Sequence, residues 1–82
     1  MVVLGRGRGA DIELADASIS RRHALIYNRD EVPLIVDMCS ANGTWVGEQR
    51  LTPEKGVAVA LGEVFRLGTV TPVLLPHLIG WA

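Results

Sequence analysis

The chain has 82 residues, 49% hydrophobic and 21% charged, with a net charge of −1. This is one small domain near the lower limit for a single core, and the composition excludes a disordered chain. The near-neutral charge argues against general nucleic-acid affinity, and Cys39, the single cysteine, excludes an internal disulfide and fits a reducing compartment. No secretory signal is visible, and the most apolar stretch, residues 70–81, is broken by Pro72, Pro76 and His77 and falls short of a membrane span. The expectation is a soluble, cytoplasmic protein.

Nine Gly and four Pro spread along the chain favour short strands over long helices. Val2-Val3-Leu4 reads as a strand that stops at the loop Gly5-Arg6-Gly7-Arg8-Gly9. Asp11-Ile12-Glu13-Leu14 alternates polar with apolar residues, the pattern of a half-buried strand. Asp16-Ala17-Ser18 reads as a turn. Residues 24–27 form the next strand, ended by the turn-forming Asn28-Arg29-Asp30. Residues 33–37 form another, with Pro33 tolerated at its start. Asn42-Gly43 is a tight-turn dipeptide that supplies positive φ at little cost. Thr44-Trp45-Val46 and Gln49-Arg50-Leu51 pair across Gly47-Glu48. Residues 57–61 and 64–67 read as two further strands, and 72–75 as the last. No window sustains the 3.6-residue period for the length of a helix. The fold class is all-β, a sandwich or barrel of short strands, without internal repeat, linker or low-complexity segment.

Three short words fall in the loops between these strands: Gly5-Arg6, Ser20-Arg21-Arg22-His23 and Asn42-Gly43-Thr44. An Arg fork, a hydroxyl and an Asn amide offer donors for a phosphate and for the backbone attached to it. Seven of the eight basic residues are Arg, whose planar fork suits phosphate better than Lys does. Residues 1–29 carry a net charge of +2 and residues 30–82 a net of −3, so the positive charge gathers around the first two words. Taken singly, Arg6 fits a solubilising surface Arg, Ser20 a loop serine, His23 a half-buried histidine and Asn42-Gly43 a plain turn. Their joint order carries the reading.

In order and spacing these words resemble the forkhead-associated (FHA) domain, a reader of phosphothreonine peptides. Leu4-Gly5-Arg6, Asp11-Ile12-Glu13-Leu14 and Asp16-Ala17-Ser18-Ile19-Ser20-Arg21-Arg22-His23-Ala24 look like the first half of its core. Val36-Asp37 and Ser40-Ala41-Asn42-Gly43-Thr44-Trp45-Val46 look like the second. Leu61-Gly62-Glu63-Val64-Phe65-Arg66-Leu67-Gly68 resembles the closing segment, with Glu63 where Asp is usual. The resemblance covers about residues 3–75 and implies an FHA-like β-sandwich of mostly antiparallel strands, with the ligand loops at one end. It implies that Arg6 and Ser20 bind phosphate oxygens with Arg21 beside them, and that Asn42 bonds the peptide backbone. Gly5, His23 and Gly43 are implied as architectural, His23 bracing the loop that presents Ser20. Thr44 is placed with the peptide-binding residues and fits the architectural group as well.

Two positions depart from the family pattern. Gly47-Glu48 stands where a second Asn-Gly is common, and only four residues precede the Gly-Arg word, so the family's first strand is apparently missing. A domain over residues 1–75 followed by an apolar tail, 76–82, is therefore expected to expose a sheet edge. That edge predicts a chain that is not a stable monomer, covered by its tail or by a second copy in a homo-oligomer.

The expected function is phosphothreonine-dependent binding of a protein or peptide in Ser/Thr kinase signalling, with no catalysis, cofactor, metal, membrane or nucleic-acid partner. An enzyme would need Ser20 or Cys39 as nucleophile with His23 as base, and no nucleophile elbow is present. The glycine-rich loop lacks the Lys-Ser/Thr of a P-loop, and two His and one Cys far apart make a poor metal site. Two alternatives remain: a degenerate FHA fold serving as a structural or oligomerisation module, and a small nucleic-acid-binding barrel using Arg6, Arg8, Arg21 and Arg22 with Trp45 for stacking.

Overall fold

The computed structural model describes residues 1–59 and 64–70. Eight strands run in chain order through them: β1 (Val2–Gly5), β2 (Ile12–Glu13), β3 (Ala24–Arg29), β4 (Val32–Asp37), β5 (Thr44–Val46), β6 (Gln49–Arg50), β7 (Val57–Ala58) and β8 (Phe65–Leu67). They form a five-stranded sheet in the order β2-β1-β3-β4-β7 and a three-stranded sheet in the order β6-β5-β8. Only β1 and β2 pair in parallel; every other strand pairing among the described residues is antiparallel. The all-β expectation is met, and no helix occurs among the described residues.

Alternation sets which side of each strand is covered. In β4, Pro33, Ile35 and Asp37 are buried while Leu34 and Val36 face outward and stay half-exposed. Ala24 and Ile26 of β3, Leu4 of β1, and Phe65 and Leu67 of β8 supply the rest, so the core lies between the two sheets. Leu51 and Ile19 plug its margins from loop positions. Two buried polar side chains on this inner side, His23 and Asp37, sit at the end where the loops gather.

Strand bounds differ from the sequence pattern in instructive ways. The turn expected at Asn28-Arg29-Asp30 falls one position later: β3 continues to Arg29, which pairs with Val32, and Asp30 and Glu31 turn with φ of 52° and 65°. Positive φ at both central residues is what a hairpin needs to match the strand twist, here without the glycine that would have announced it. Pro33 consequently lies inside β4, where its carbonyl accepts the Val59 N–H at 2.9 Å. The β5–β6 hairpin turns at Gly47-Glu48 as expected, with φ +59° at Gly47. The strand expected over 57–61 is seen as Val57–Ala58, with residues 60–63 outside the described set. The strand expected over 72–75, and the boundary with the tail 76–82, also lie outside the described residues.

Burial separates positions that matter for stability from positions that do not. Ile35→Ala, at a fully buried site, is expected to lower unfolding free energy by about 2–5 kcal/mol. Val64→Ala, at a site 51% exposed on the other side of the same fold, is expected to change it by less than about 0.5 kcal/mol. Urea titration followed by Trp fluorescence measures both.

Candidate functional site

Gly5 ends β1 against the loop that carries Ser20. A Cβ at this position would collide with the Arg21 carbonyl oxygen, so only glycine lets the strand approach so closely. The approach allows two backbone bonds, Arg6 N–H to Ser20 O at 3.0 Å and Gly7 N–H to Arg21 O at 3.1 Å. Arg6 adds a third through its side chain, Nε donating to Ile19 O at 2.9 Å. That bond fixes the guanidinium plane and leaves both Nη groups to solvent, on a residue that is exposed.

His23 joins this loop to the next. Its ring is fully buried; Nδ1 accepts the Ser20 N–H at 3.0 Å, and Nε2 lies 2.7 Å from Gly43 O. Accepting at Nδ1 places the single ring proton on Nε2, which donates to Gly43 O. The imidazole therefore spans from the Ser20 loop to the turn before β5. The Ser20 hydroxyl makes a second link between the same segments, accepting the Ala41 N–H at 3.0 Å and keeping its own proton free to donate.

The Asn42 turn is held from beneath by Asp37. This carboxylate is 2% exposed and accepts from the Ser40 hydroxyl, the Ser40 N–H and the Thr44 hydroxyl. Ser40 Oγ in turn accepts the Gly43 N–H at 3.0 Å, which closes the turn on itself. Gly43 has φ +86°, which favours glycine, and the Arg50 guanidinium packs where a Cβ would lie. Thr44, placed with the peptide-binding residues and equally fitting the architectural group, has a fully buried side chain whose hydroxyl is bonded to Asp37 at 2.6 Å, so it braces the turn from inside.

Sequence reasoning passed over a third bracket. Asp16 Oδ1 accepts both the N–H and the hydroxyl of Ser18. Ser18 Oγ then accepts the Thr69 N–H at 3.1 Å, and Ser18 O accepts Asn42 Nδ2 at 2.8 Å. The Ser18 hydroxyl, and next its N–H, hold the Asp16 carboxyl below its ordinary pKa. The Asp-x-Ser spacing at 16–18, a side chain bonding a backbone N–H two residues on, was the available signal. Asp37 and Ser40, three apart, gave a similar one.

Arg6, Ser20 and Asn42 thus meet at one end of the sandwich, each with one polar atom tied to a neighbouring loop and at least one donor left over. Arg21 and Arg22 are exposed beside them, and Arg21 Cβ lies where Gly7 leaves room for it. What results is an open, positively charged surface with preset donors, suited to an anion with an extended chain attached. No group of His, Cys, Asp and Glu among the described residues is arranged to hold a metal ion. A hollow of about 340 Å³ lined by Leu25, Val36, Met38 and Cys39 adjoins the outer face of the five-stranded sheet and includes none of the three donors.

Comparison with known proteins agrees on one family. The family model for the FHA domain matches residues 2–68. The chain is 39% identical over 75 residues to the FHA domain-containing protein FhaA of Mycobacterium tuberculosis, an alignment covering 92% of this chain and 14% of that protein. It is 36% identical over 72 residues to an FHA domain-containing protein of Arabidopsis thaliana, covering 88% of this chain and 19% of the other. The chain therefore spans less than a fifth of either relative. Among solved structures, the FHA domain of an Arabidopsis thaliana hypothetical protein superimposes with a TM-score of 0.79 at 37% identity, over 85% of this chain and 60% of that one. The N-terminal FHA domain of Rad53p from S. cerevisiae, in complex with a phosphothreonine peptide, does so with a TM-score of 0.74 at 26% identity, over 83% and 56%.

Two outcomes follow from the bonding. His23→Ala leaves the Ser20 N–H without a partner, removes one of the two donors to the Gly43 carbonyl and opens a cavity at a fully buried site, and is expected to cost about 3–5 kcal/mol in chemical denaturation. Asp16 acts through pH: its folded-state pKa is lowered, so its stabilising share is fully present above the ordinary carboxylate range and is lost as pH falls through the lowered value. The stability difference between wild type and Asp16→Ala is expected to be constant near neutrality and to shrink below about pH 4. A difference that persists unchanged at the lowest pH where both remain folded counts against this role.

Proposed function

The chain belongs to the FHA domain family, and we propose that it is a phosphothreonine-dependent peptide-binding module whose partners are proteins phosphorylated by Ser/Thr kinases. One observation carries this reading: the internal bonds of Arg6, Ser20 and Asn42 use up only part of each side chain, and the remaining donors face one open surface. Arg6 and Ser20 bind phosphate oxygens, with Arg21 beside them, and Asn42 bonds the peptide backbone next to the phosphothreonine. Gly5, His23, Gly43 and Thr44 hold these groups in place. A phosphate carries about −1.5 to −2 charges and three strong acceptor oxygens, which match a guanidinium fork and a hydroxyl.

The module acts by binding and performs no chemistry itself. Its lone, exposed Cys39 favours a reducing compartment, and we place it in the cytoplasm. The domain is taken to extend to about residue 75, with 76–82 as an apolar tail, and self-association through a sheet edge is tested by light scattering at ~10 μM with and without that tail. The survival of all three donors together speaks against the degenerate, purely structural alternative.

A phosphopeptide array on the purified chain, with unphosphorylated controls, tests the proposal. Arg6→Ala removes a charged hydrogen bond worth about 1.5–3 kcal/mol, and is expected to weaken the best phosphopeptide about ten- to a hundredfold. Ser20→Ala weakens it less, and Arg29→Ala, at the exposed far end of β3, leaves it unchanged. Phosphothreonine is expected to bind more tightly than phosphoserine, one buried methyl being worth about 0.8 kcal/mol. Folded variants of Arg6 and Ser20 that bind as wild type does would sink the assignment.

A further inference from the structure

The outer face of the three-stranded sheet carries a feature that the phosphate site does not use. Trp45 of β5 pairs with Arg50 of β6 on one side and with Arg66 of β8 on the other, so the three side chains form one row across the sheet. Both guanidinium groups stack on the indole, Arg66 Cζ at 4.5 Å and Arg50 Cζ at 5.8 Å from the ring centroid.

The row leans toward the loop end. Arg50 packs against Gly43, whose absent Cβ would lie 2.6 Å from Arg50 Nε and 3.0 Å from its Cζ. Arg66 Nη1 donates to Gly68 O at 2.9 Å, and the Gly68 N–H donates to Gly43 O at 2.9 Å. Arg50 is thereby held against the residue next to Asn42, and Arg66 is tied to the same turn through Gly68.

The cluster is rich in donors and short of acceptors. Guanidinium and indole N–H groups donate and cannot accept, and the buried Trp45 Nε1 has no hydrogen-bond partner among the described residues. The two guanidinium groups concentrate positive charge around one ring, and a carboxylate beside either of them accepts from its fork and offsets that charge. Stacking on the indole holds the forks partly ordered in advance, which lowers the entropy lost on binding.

We propose that Arg50 and Arg66, stacked on Trp45, form a second anionic subsite that selects phosphothreonine peptides carrying an Asp or Glu near the phosphothreonine. The inference rests on the phosphothreonine-binding reading above and adds a sequence preference to it. The phosphate supplies the main attraction and the acidic side chain the discrimination. Arg50 is exposed and Arg66 half-exposed, so the gain is that of a partly solvated ion pair and weakens with salt.

The test uses a degenerate phosphothreonine peptide library with Asp, Ala or Lys fixed in turn at each flanking position, an unphosphorylated copy, and an oligothymidylate. Wild type is expected to enrich Asp over Ala about three- to fivefold at one position. The double variant Arg50→Gln/Arg66→Gln is expected to lose that enrichment while keeping its preference for phosphorylated over unphosphorylated peptide. Arg50→Glu is expected to turn the preference at the same position toward Lys, a reversal that mere loosening of the fold does not produce. Phosphate dependence without any acidic preference, or a preference that survives in the double variant, overturns the subsite and leaves the phosphothreonine reading standing. Absence of phosphate dependence overturns both. Oligothymidylate binding that the double variant abolishes, with no acidic preference in peptides, assigns the row to nucleic acid instead.

Discussion

The buried imidazole of His23 is the contact on which the loop end depends. It belongs to the segment entering β3 in one sheet, and it bonds the turn that feeds β5 in the other. Joined through a ring that accepts on one side and donates on the other, the two loops become a single surface. The Asp37 carboxylate plays the matching part within the second loop, collecting three donors from residues 40–44. A buried carboxylate with three hydrogen-bond donors around it is tolerable where a bare one is not.

These bonds reach far along the chain. Ser18 meets Thr69 across 51 residues and Asn42 across 24, and His23 meets Gly43 across 20. No part of the surface can exist before the two sheets have packed. The same packing that buries Phe65, Ile35 and Leu4 sets the spacing of Arg6, Ser20 and Asn42. Site and core are therefore one cooperative unit, and non-local contacts of this sort are expected to fold slowly for so short a chain.

Much of this was legible in the sequence, for identifiable reasons. Short apolar runs bounded by turn residues, with alternation at 11–14, located the strands, and the Gly-Arg, Ser-Arg-Arg-His and Asn-Gly-Thr words fell in the loops between them. Local rules failed where distant partners decide. The turn signal of Asn28-Arg29-Asp30 lies early; the pairing of Tyr27 with Leu34 and of Arg29 with Val32 moves the turn to Asp30-Glu31. The residue type of Thr44 left both a binding and an architectural role open, and its buried hydroxyl bond to Asp37 depends on a residue of the preceding strand. Of the Asp16–Ser18–Thr69 bracket, the Asp-x-Ser turn was readable locally, while its bond to Thr69, 51 residues away, was not.

The four successive carbonyls of residues 18–21 are all occupied. Asn42 Nδ2 takes the first, Arg6 Nε the second, Arg6 N–H the third and Gly7 N–H the fourth. Loop carbonyl oxygens left bare are the negative poles of peptide dipoles, and they repel an approaching anion as surely as a carboxylate attracts a cation. Here each negative pole is quenched by a donor from an adjoining segment before any ligand arrives. The Arg6-Gly7 segment that follows β1 thus contributes electrostatically: with Asn42 it covers the acceptors of the Ser20 loop and so sets the sign of the potential that the loop presents to solvent.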